Sequence, residues 1–460
     1  MYQSLRTAAW TLRIALPKVA VGWMFALLTI DFNRVAIVEM GIAAVIVTTL
    51  LSIHYFLAPF QVVVGRIADC HPILGYRRSP YLLGASVIAS LLFLVLPSVT
   101  FSMGEGSMFG MAGAVALFVM FGLCMAVIAD SYHSLIAEVT DKDSRPTIIA
   151  VVWIVMIVST ILSAVVMNAV RPEFSPEAMQ RLYNLTPPIV LLSVLIGIAG
   201  VEKRLQPSEL KAAMEKARSL APPGNPLTSA VRVIEANSQA RRFFIFISVA
   251  IFAIFLQDNI IEVFGAEVFG KGIRETTRFQ PIWGSGILLG MVVMGVVSHF
   301  AKIPKRISTL IGAVGAAGGF VLLGIVALLQ LEFMLLPTLF LLGFCAGIFN
   351  VGALAMMMDM TVEGATGMYM GLWGVAQAAG MGLSAVVSGG LHTGLVTSGL
   401  LDPSTAYWGI FTAEGLILLS AAYLLYGVRI DLFHREATNI QPAVYQADDP
   451  VAGALGASSA

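Results

Sequence analysis

Long apolar runs alternate with short polar breaks along most of the chain. Windows of bilayer length fall at 19–40, 42–64, 81–98, 109–130, 147–170, 187–201, 243–264, 282–301, 307–329, 334–357, 367–391 and 406–428. A helix crossing a hydrocarbon core needs about 20 apolar residues, so the pattern predicts twelve transmembrane helices, spans 1 to 12. The sixth window is short, with an earlier start near Tyr183 as the alternative. Before span 1, residues 1–18 alternate Arg6, Arg13 and Lys18 with Leu5, Trp10, Leu12 and Ile14, which reads as an amphipathic helix on the membrane surface. This segment is too polar to serve as the apolar region of a cleavable signal.

The longest polar connection, 202–242, separates an N-terminal six-helix half (19–201) from a C-terminal one (243–428). It is basic, holds a helical stretch (SELKAAMEKARSL) and then PPGNP, and reads as a solvated linker, with a docking surface as the minor alternative. Residues 429–460 form a polar tail expected to be disordered. The halves look related. AEVTDKDSRPTIIAVVW (137–153) follows span 4 and MDMTVEGATGMYMGLWG (358–374) follows span 10; aligned without gaps, they match Glu138 with Asp359 and Thr140 with Thr361. The expected fold is therefore an all-α polytopic membrane protein of two pseudo-symmetric six-helix halves. Parallel repeats of this kind are the plan of the major facilitator fold.

Composition agrees. The chain of 460 residues is 58% hydrophobic and 12% charged, with mean hydropathy +0.87. About 21 of the 27 basic residues fall on one side if the N-terminus is cytoplasmic, so both termini are expected inside. Zero net charge argues against nucleic acid as a partner. The three cysteines, Cys70, Cys124 and Cys345, lie far apart and imply no disulfide framework.

Candidate chemistry begins where the apolar pattern fails. Span 1 carries Asp31, Asn33, Arg34 and, near its far end, Glu39. A central charge costs about 2.5–3.5 kcal/mol on insertion scales, so such groups face a partner, a cavity or a ligand rather than lipid. Asp31 and Arg34 share a helix face and could pair. Span 7 carries Gln257, Asp258 and Glu262, the last two one turn apart. Arg34 and Asp258 sit about 15 residues into their spans, at similar depth, so an Arg34–Asp258 pair between the halves is the competing arrangement. These acids could carry protons or lock the halves together.

The loop from Gly65 through Asp69 and Gly75 to Arg77 and Arg78 joins spans 2 and 3. Gly65 permits close helix approach. Asp69 can cap or pair at a helix end, with Arg77 or Arg78 holding it. Ser79 and Pro80 make a good helix start. His54, inside span 2 beside Ala58 and Pro59, is either a hydrogen-bonded residue at a proline kink or a pigment ligand, since neutral imidazole ligates chlorophyll magnesium. His299, His392, His71 and His133 read as interfacial or loop residues. Asn350, Gln61, Gln377 and Glu414 read as helix-packing polar groups. The glycines crowding spans 9 to 11 imply tight helix contact, and the nearby methionines are apolar filler. No nucleotide-binding loop, zinc spacing or serine elbow occurs, and no enzymatic activity is expected.

Taken together, N33-R-V-A-I-V-E39, L57-A-P-F60, the G65-x-x-x-D69 loop running to L74-G-Y-R-R-S-P-Y81, and Q257-D with E262-x-x-G265 resemble the PucC/LhaA family. That family is a bacteriochlorophyll-delivery branch of the major facilitator superfamily. The loop carries three extra residues between Asp69 and Gly75 relative to the general superfamily motif, which argues against ordinary gating there. The resemblance implies an assembly factor for light-harvesting complexes, delivering (bacterio)chlorophyll to, or chaperoning, small single-span antenna polypeptides. Pigment, transiently bound, would be the cofactor-like cargo. Antenna chains, pigment-synthesis enzymes and membrane lipid would be the partners. A bacterial cytoplasmic, intracytoplasmic or thylakoid membrane would be the location. A proton-coupled small-solute transporter is the alternative. A stable subunit of a mature photosynthetic complex is the weaker third reading.

Overall fold

A computed structural model describes residues 2–61, 64, 67–68, 71–140, 145–171, 173–211, 214, 234–301, 303–361 and 366–436. Eleven helices among them are long and apolar enough to cross a membrane, and a twelfth, Ala44–Phe56, is apolar but shorter. The all-helical expectation holds, and the count is close to twelve.

Proline and capping side chains explain most helix boundaries. Span 1 (Pro17–Glu39) starts on Pro17, whose missing N–H costs nothing in a first turn. Span 2 is broken after Phe56, because Pro59 cannot donate and its ring crowds the carbonyl one turn back, and residues 60–61, 64 and 67–68 are helical again. Span 3 (Ser79–Gly104) opens on Pro80. Span 4 (Met108–Val139) is capped by Ser107 and runs 32 residues, well past the expected end at 130. Span 5 is Arg145–Val170. Span 6 starts earlier than either reading: Ser175 caps a helix at Pro176–Tyr183, which continues after a brief break as Thr186–Ile198. Span 7 begins at Ser238, capped by Asn237. Spans 8 (Phe279–Ala301), 9 (Lys305–Leu328), 10 (Glu332–Asp359), 11 (Thr366–His392) and 12 (Pro403–Tyr426) follow. The amphipathic helix Tyr2–Ala15 packs on spans 5 and 6.

Helix neighbours repeat with a shift of six. In the first half, span 1 packs on 5 and 6, span 3 on 4 and 6, and span 2 on 4. In the second, span 7 packs on 11 and 12, span 9 on 10 and 12, and span 8 on 10. Contacts between halves run from span 2 to 11 and from span 5 to 8, and these too exchange under the shift. This is the pseudo-two-fold plan of parallel repeats. The spans 8–10 crossing is glycine-built: a methyl group on Gly286, Gly290, Gly343 or Gly347 would strike the partner's backbone.

Candidate functional site

The first helix of each half is irregular where its polar residues sit. In span 1 the α-helix ends at Ala26, and two π-helical turns follow, Leu27–Phe32 and Val35–Glu39. In span 7 the helix Ser238–Leu256 gives way to a 3₁₀ turn, Gln257–Asn259, and resumes at Ile261–Phe269. π-turns and broken membrane helices are tolerated where side chains re-satisfy the freed backbone groups, and they recur at functional sites. Asn33 does this between the halves: its Nδ2 donates to the Asn259 carbonyl at 2.6 Å.

The charge pairing differs from both expected arrangements. Asp31 is ion-paired with Arg171 at the end of span 5, both side chains 3% or less exposed. Arg34 Nη1 donates to Glu39 Oε1 at 2.6 Å, and its Nη2 reaches the Lys271 carbonyl at 3.4 Å. The π geometry explains the change, because a turn closed by i→i+5 hydrogen bonds brings residues five apart together. Met40 N–H bonds the Val35 carbonyl in that register. Asp258 accepts from Gln280 of span 8 at 3.0 Å, so it does not need Arg34. Gln257 is buried beside it. Glu262 is fully buried, and neither oxygen has a partner within ordinary hydrogen-bond geometry. Asn33 Oδ1 and Arg34 Nε are also buried and unpartnered. Arg171, Gln280 and the Lys271 carbonyl escaped the sequence reading. Arg171 lies just past the apolar window at 147–170, and no sequence pattern marks a glutamine as the ligand of an acid 22 residues earlier.

At the opposite end of the bundle, Gly65 and Asp69 lie outside the described residues. Gly75 adopts φ +88 after Leu74 at φ 55, and the turn is closed by Ile73 and Tyr76, which exchange backbone hydrogen bonds at 2.9 Å. The longer loop is thus a tight turn. Its basic pair is held by span 4: Arg78 Nε bonds Glu138 at 3.0 Å, Arg77 lies 3.6 Å from the same carboxylate, and Asp130 is 4.0 Å from Arg78. Glu202, expected to open the linker, instead caps span 3. Its carboxylate accepts the backbone N–H groups of Arg77, Arg78 and Ser79 at 2.6–3.0 Å. Asp359, aligned with Glu138, makes the contact equivalent to Glu138–Arg78 at the end of span 10, bonding Lys305 at the start of span 9 at 2.6 Å.

His54 Nδ1 lies 2.6 Å from the Leu51 carbonyl. That contact places the proton on Nδ1 and leaves the lone pair on Nε2. Nε2 has no partner, a donor set suited to an axial magnesium ligand. The space is filled, however, because the rings of Phe25, Tyr55 and Phe121 pack around the imidazole. A macrocycle at His54 requires them to move. His392, expected at the interface, is buried and bonded to Glu267 at 2.9 Å, which also accepts from Tyr407 at 2.9 Å. Glu414 of span 12 is fully buried with both oxygens unpartnered.

A family model described as PUCC protein matches residues 31–432, beginning on Asp31 itself. The chain is 29% identical over 422 residues to "Bacteriochlorophyll synthase 44.5 kDa chain" of Rhodobacter capsulatus, covering 90% of this chain and 94% of the relative. It is 26% identical over 428 residues to "Protein PucC" of Cereibacter sphaeroides, covering 90% and 91%. Among solved structures it superposes on a bacterial homologue of the lysosomal transporter Spinster with TM-score 0.68 at 12% identity, covering 93% and 98%. A D-xylose-proton symporter gives TM-score 0.66 at 15% identity, covering 90% and 96%. These structural likenesses establish the major facilitator fold.

Proposed function

The chain belongs to the PUCC family, and from that premise we propose that it is an assembly factor for photosynthetic light-harvesting complexes. It delivers (bacterio)chlorophyll to small single-span antenna polypeptides or chaperones them in a photosynthetic membrane. The observation that carries this reading is a family match running from Asp31 in span 1 through the last span, with one relative whose name refers to bacteriochlorophyll. The fold supplies a membrane-embedded body with two halves that meet at a polar seam. It does not by itself specify the cargo.

Within this reading, pigment is cargo held transiently. His54 is the candidate contact: its tautomer suits magnesium, and its aromatic surround suits a flat, apolar macrocycle once the rings part. The seam of Asp31, Asn33, Arg34, Glu39, Gln257, Asp258 and Glu262 governs how the halves meet, and Gly75, Arg77 and Arg78 anchor the opposite end. Antenna chains and pigment-synthesis enzymes are the protein partners.

The test is an absorption spectrum of the protein purified in mild detergent from a pigment-producing host, with co-purifying polypeptides identified. A near-stoichiometric chlorophyll-type band with small antenna chains is expected, and His54→Ala should reduce the pigment severalfold. Folded protein isolated repeatedly without pigment or antenna chains would overturn the delivery reading in favour of small-solute transport.

A further inference from the structure

Span 12 finishes at the Arg78 end of the bundle, against two arginines that come from different spans. Arg242, near the start of span 7, donates from Nη1 to the Gly427 carbonyl at 3.2 Å. Arg306, in the first turn of span 9, donates from Nη2 to the Tyr426 carbonyl. Its guanidinium also lies over the Tyr426 ring, 4.9 Å from the centroid. The two carbonyls belong to successive residues, whose Cα atoms are about 3.8 Å apart, so the guanidiniums converge on one helix end. A cation at a helix C-terminus is ordinary, because the last carbonyls carry about half a negative charge. The equivalent end of span 6 is held by one arginine among the described residues: Arg13 donates to the Ile196 carbonyl at 3.0 Å and to that of Ala199. Span 12 has two, which leaves roughly one and a half units of positive charge beyond what the helix end offsets.

No acid among the described residues cancels that surplus. Asp359 is taken by Lys305, and Glu436 accepts from Ser238 at the start of span 7. Glu235 and Asp431 are exposed and make no ion pair with a described residue. Arg242 and Arg306 likewise have no ion pair among the described residues. The surroundings on the outer surface are apolar. Tyr423 and Tyr426 are strongly exposed at the end of span 12, with Leu419 exposed one turn before them. On span 9, which packs against span 12, Ile307 and Ile311 are exposed. Tyrosines gather where headgroups meet hydrocarbon, so the paired cations sit at headgroup level above two adjoining apolar faces.

We propose that Arg242 and Arg306 form a binding site for the phosphate of an anionic phospholipid, whose acyl chains lie along the exposed faces of spans 9 and 12. Each guanidinium carries five N–H donors and gives only part of them to carbonyls, so donors remain for phosphate oxygens. The fork geometry of arginine suits that group. A zwitterionic lipid brings an ammonium that the same two cations repel, so the site selects a headgroup with net negative charge. Once bound, the lipid offsets the surplus and ties the starts of spans 7 and 9 to the end of span 12. The inference goes beyond the assembly reading and does not depend on it, since the site lies at the outer surface of the second half and away from the seam.

The experiment is native mass spectrometry of the full chain, titrated with dioleoyl phosphatidylglycerol and, separately, with dioleoyl phosphatidylcholine. The affinity of the first lipid bound is read in each case. Phosphatidylglycerol should bind about twentyfold more tightly, about fivefold for each arginine. Arg242→Gln or Arg306→Gln alone should leave about a fivefold preference, and the two together should abolish it. Lys203→Gln removes an exposed cation at the same end, bonded to Glu209, and should leave the preference intact. Inorganic phosphate should not displace the lipid, because it lacks the chains that the apolar faces hold. Equal affinities for the two lipids in the wild type would overturn the proposal, and that comparison needs no variant to fold. So would an undiminished preference in the double variant, an equal loss in Lys203→Gln, or displacement by phosphate, which would make the site one for a soluble anion.

Discussion

Spans 1 and 7 occupy equivalent places in the two halves, yet they treat buried charge in opposite ways. Every ionisable group in the outer half of span 1 has an opposite charge: Asp31 has Arg171, and Arg34 has Glu39. Span 7 leaves Asp258 and Glu262 with the Gln280 amide but no ion pair among the described residues, and span 12 adds a third buried acid, Glu414, whose oxygens have no hydrogen-bond partner. A fully paired set of buried charges resists change, because moving one member strands the other. An unpaired acid gains by acquiring a proton or a cation. The first half therefore reads as the fixed reference and the second as the half whose charge state can vary.

The sharpest way to break this comparison is to strand a charge in span 1. Asp31→Ala leaves Arg171 buried without its partner and should cost about 3–5 kcal/mol, read as a large loss of folded protein in thermal or denaturant unfolding in detergent. Replacing both residues by apolar ones of similar volume should recover most of that loss. If the single and double variants behave alike, the pair is not the organising contact. The same logic with the opposite expectation applies to span 7: Glu262→Leu removes an uncompensated acid and should be neutral or stabilising in the same assay. A loss as large as that of Asp31→Ala would mean that Glu262 has a partner in the membrane.

A smaller effect is expected at the Arg78 end, where the first half adds a backbone cap from Glu202 and the second half keeps an ion pair. Glu202→Ala strips three backbone N–H groups of their acceptor and should cost about 1.5–3 kcal/mol. Lys305→Ala removes a half-exposed ion pair with Asp359 and should cost about 0–1 kcal/mol. Equal losses would show that the start of span 9 is tied more firmly than its charges suggest.

These contrasts also mark what a sequence can disclose. Span positions were legible because a bilayer imposes length and polarity, and Glu138 with Asp359 was legible because a repeat preserves position. The partners at the seam were not. A helix rotates its side chains by about 100° per residue, so a π-turn that adds part of a residue per turn redirects everything beyond it, and nothing in L27-L-T-I-D-F32 announces such a turn. Arg34 therefore read as a partner for Asp31 or Asp258 when it belongs to Glu39. Arg171 and Glu202 were hidden differently: each lies just past a span, where a charge reads as topology signal or linker until helix packing shows what it touches.

The smallest test uses a pair of caps that the repeat places side by side. Span 6 opens with Ser175 then Pro176, and span 12 with Asp402 then Pro403; each cap accepts the N–H three residues on, from Ala178 and Thr405. The hydroxyl does not titrate. The carboxylate does, and the Thr405 N–H holds its pKa below the ordinary value. A depressed folded-state pKa gives stability that is present above the unfolded value and lost as pH falls through the folded one. Acidification below about pH 4, the ordinary carboxylate range, should thus weaken the start of span 12 while leaving span 6 capped. Asp402→Ser should remove that acid sensitivity without changing stability near neutral pH, and Ser175→Ala should cost about 1 kcal/mol at every pH. Hydrogen exchange at the first turns of both helices, followed from pH 6 to pH 3 after correction for the intrinsic rate, resolves the two. Parallel loss of protection at both caps would show that acid acts on the bundle as a whole rather than on the titratable cap of its second half.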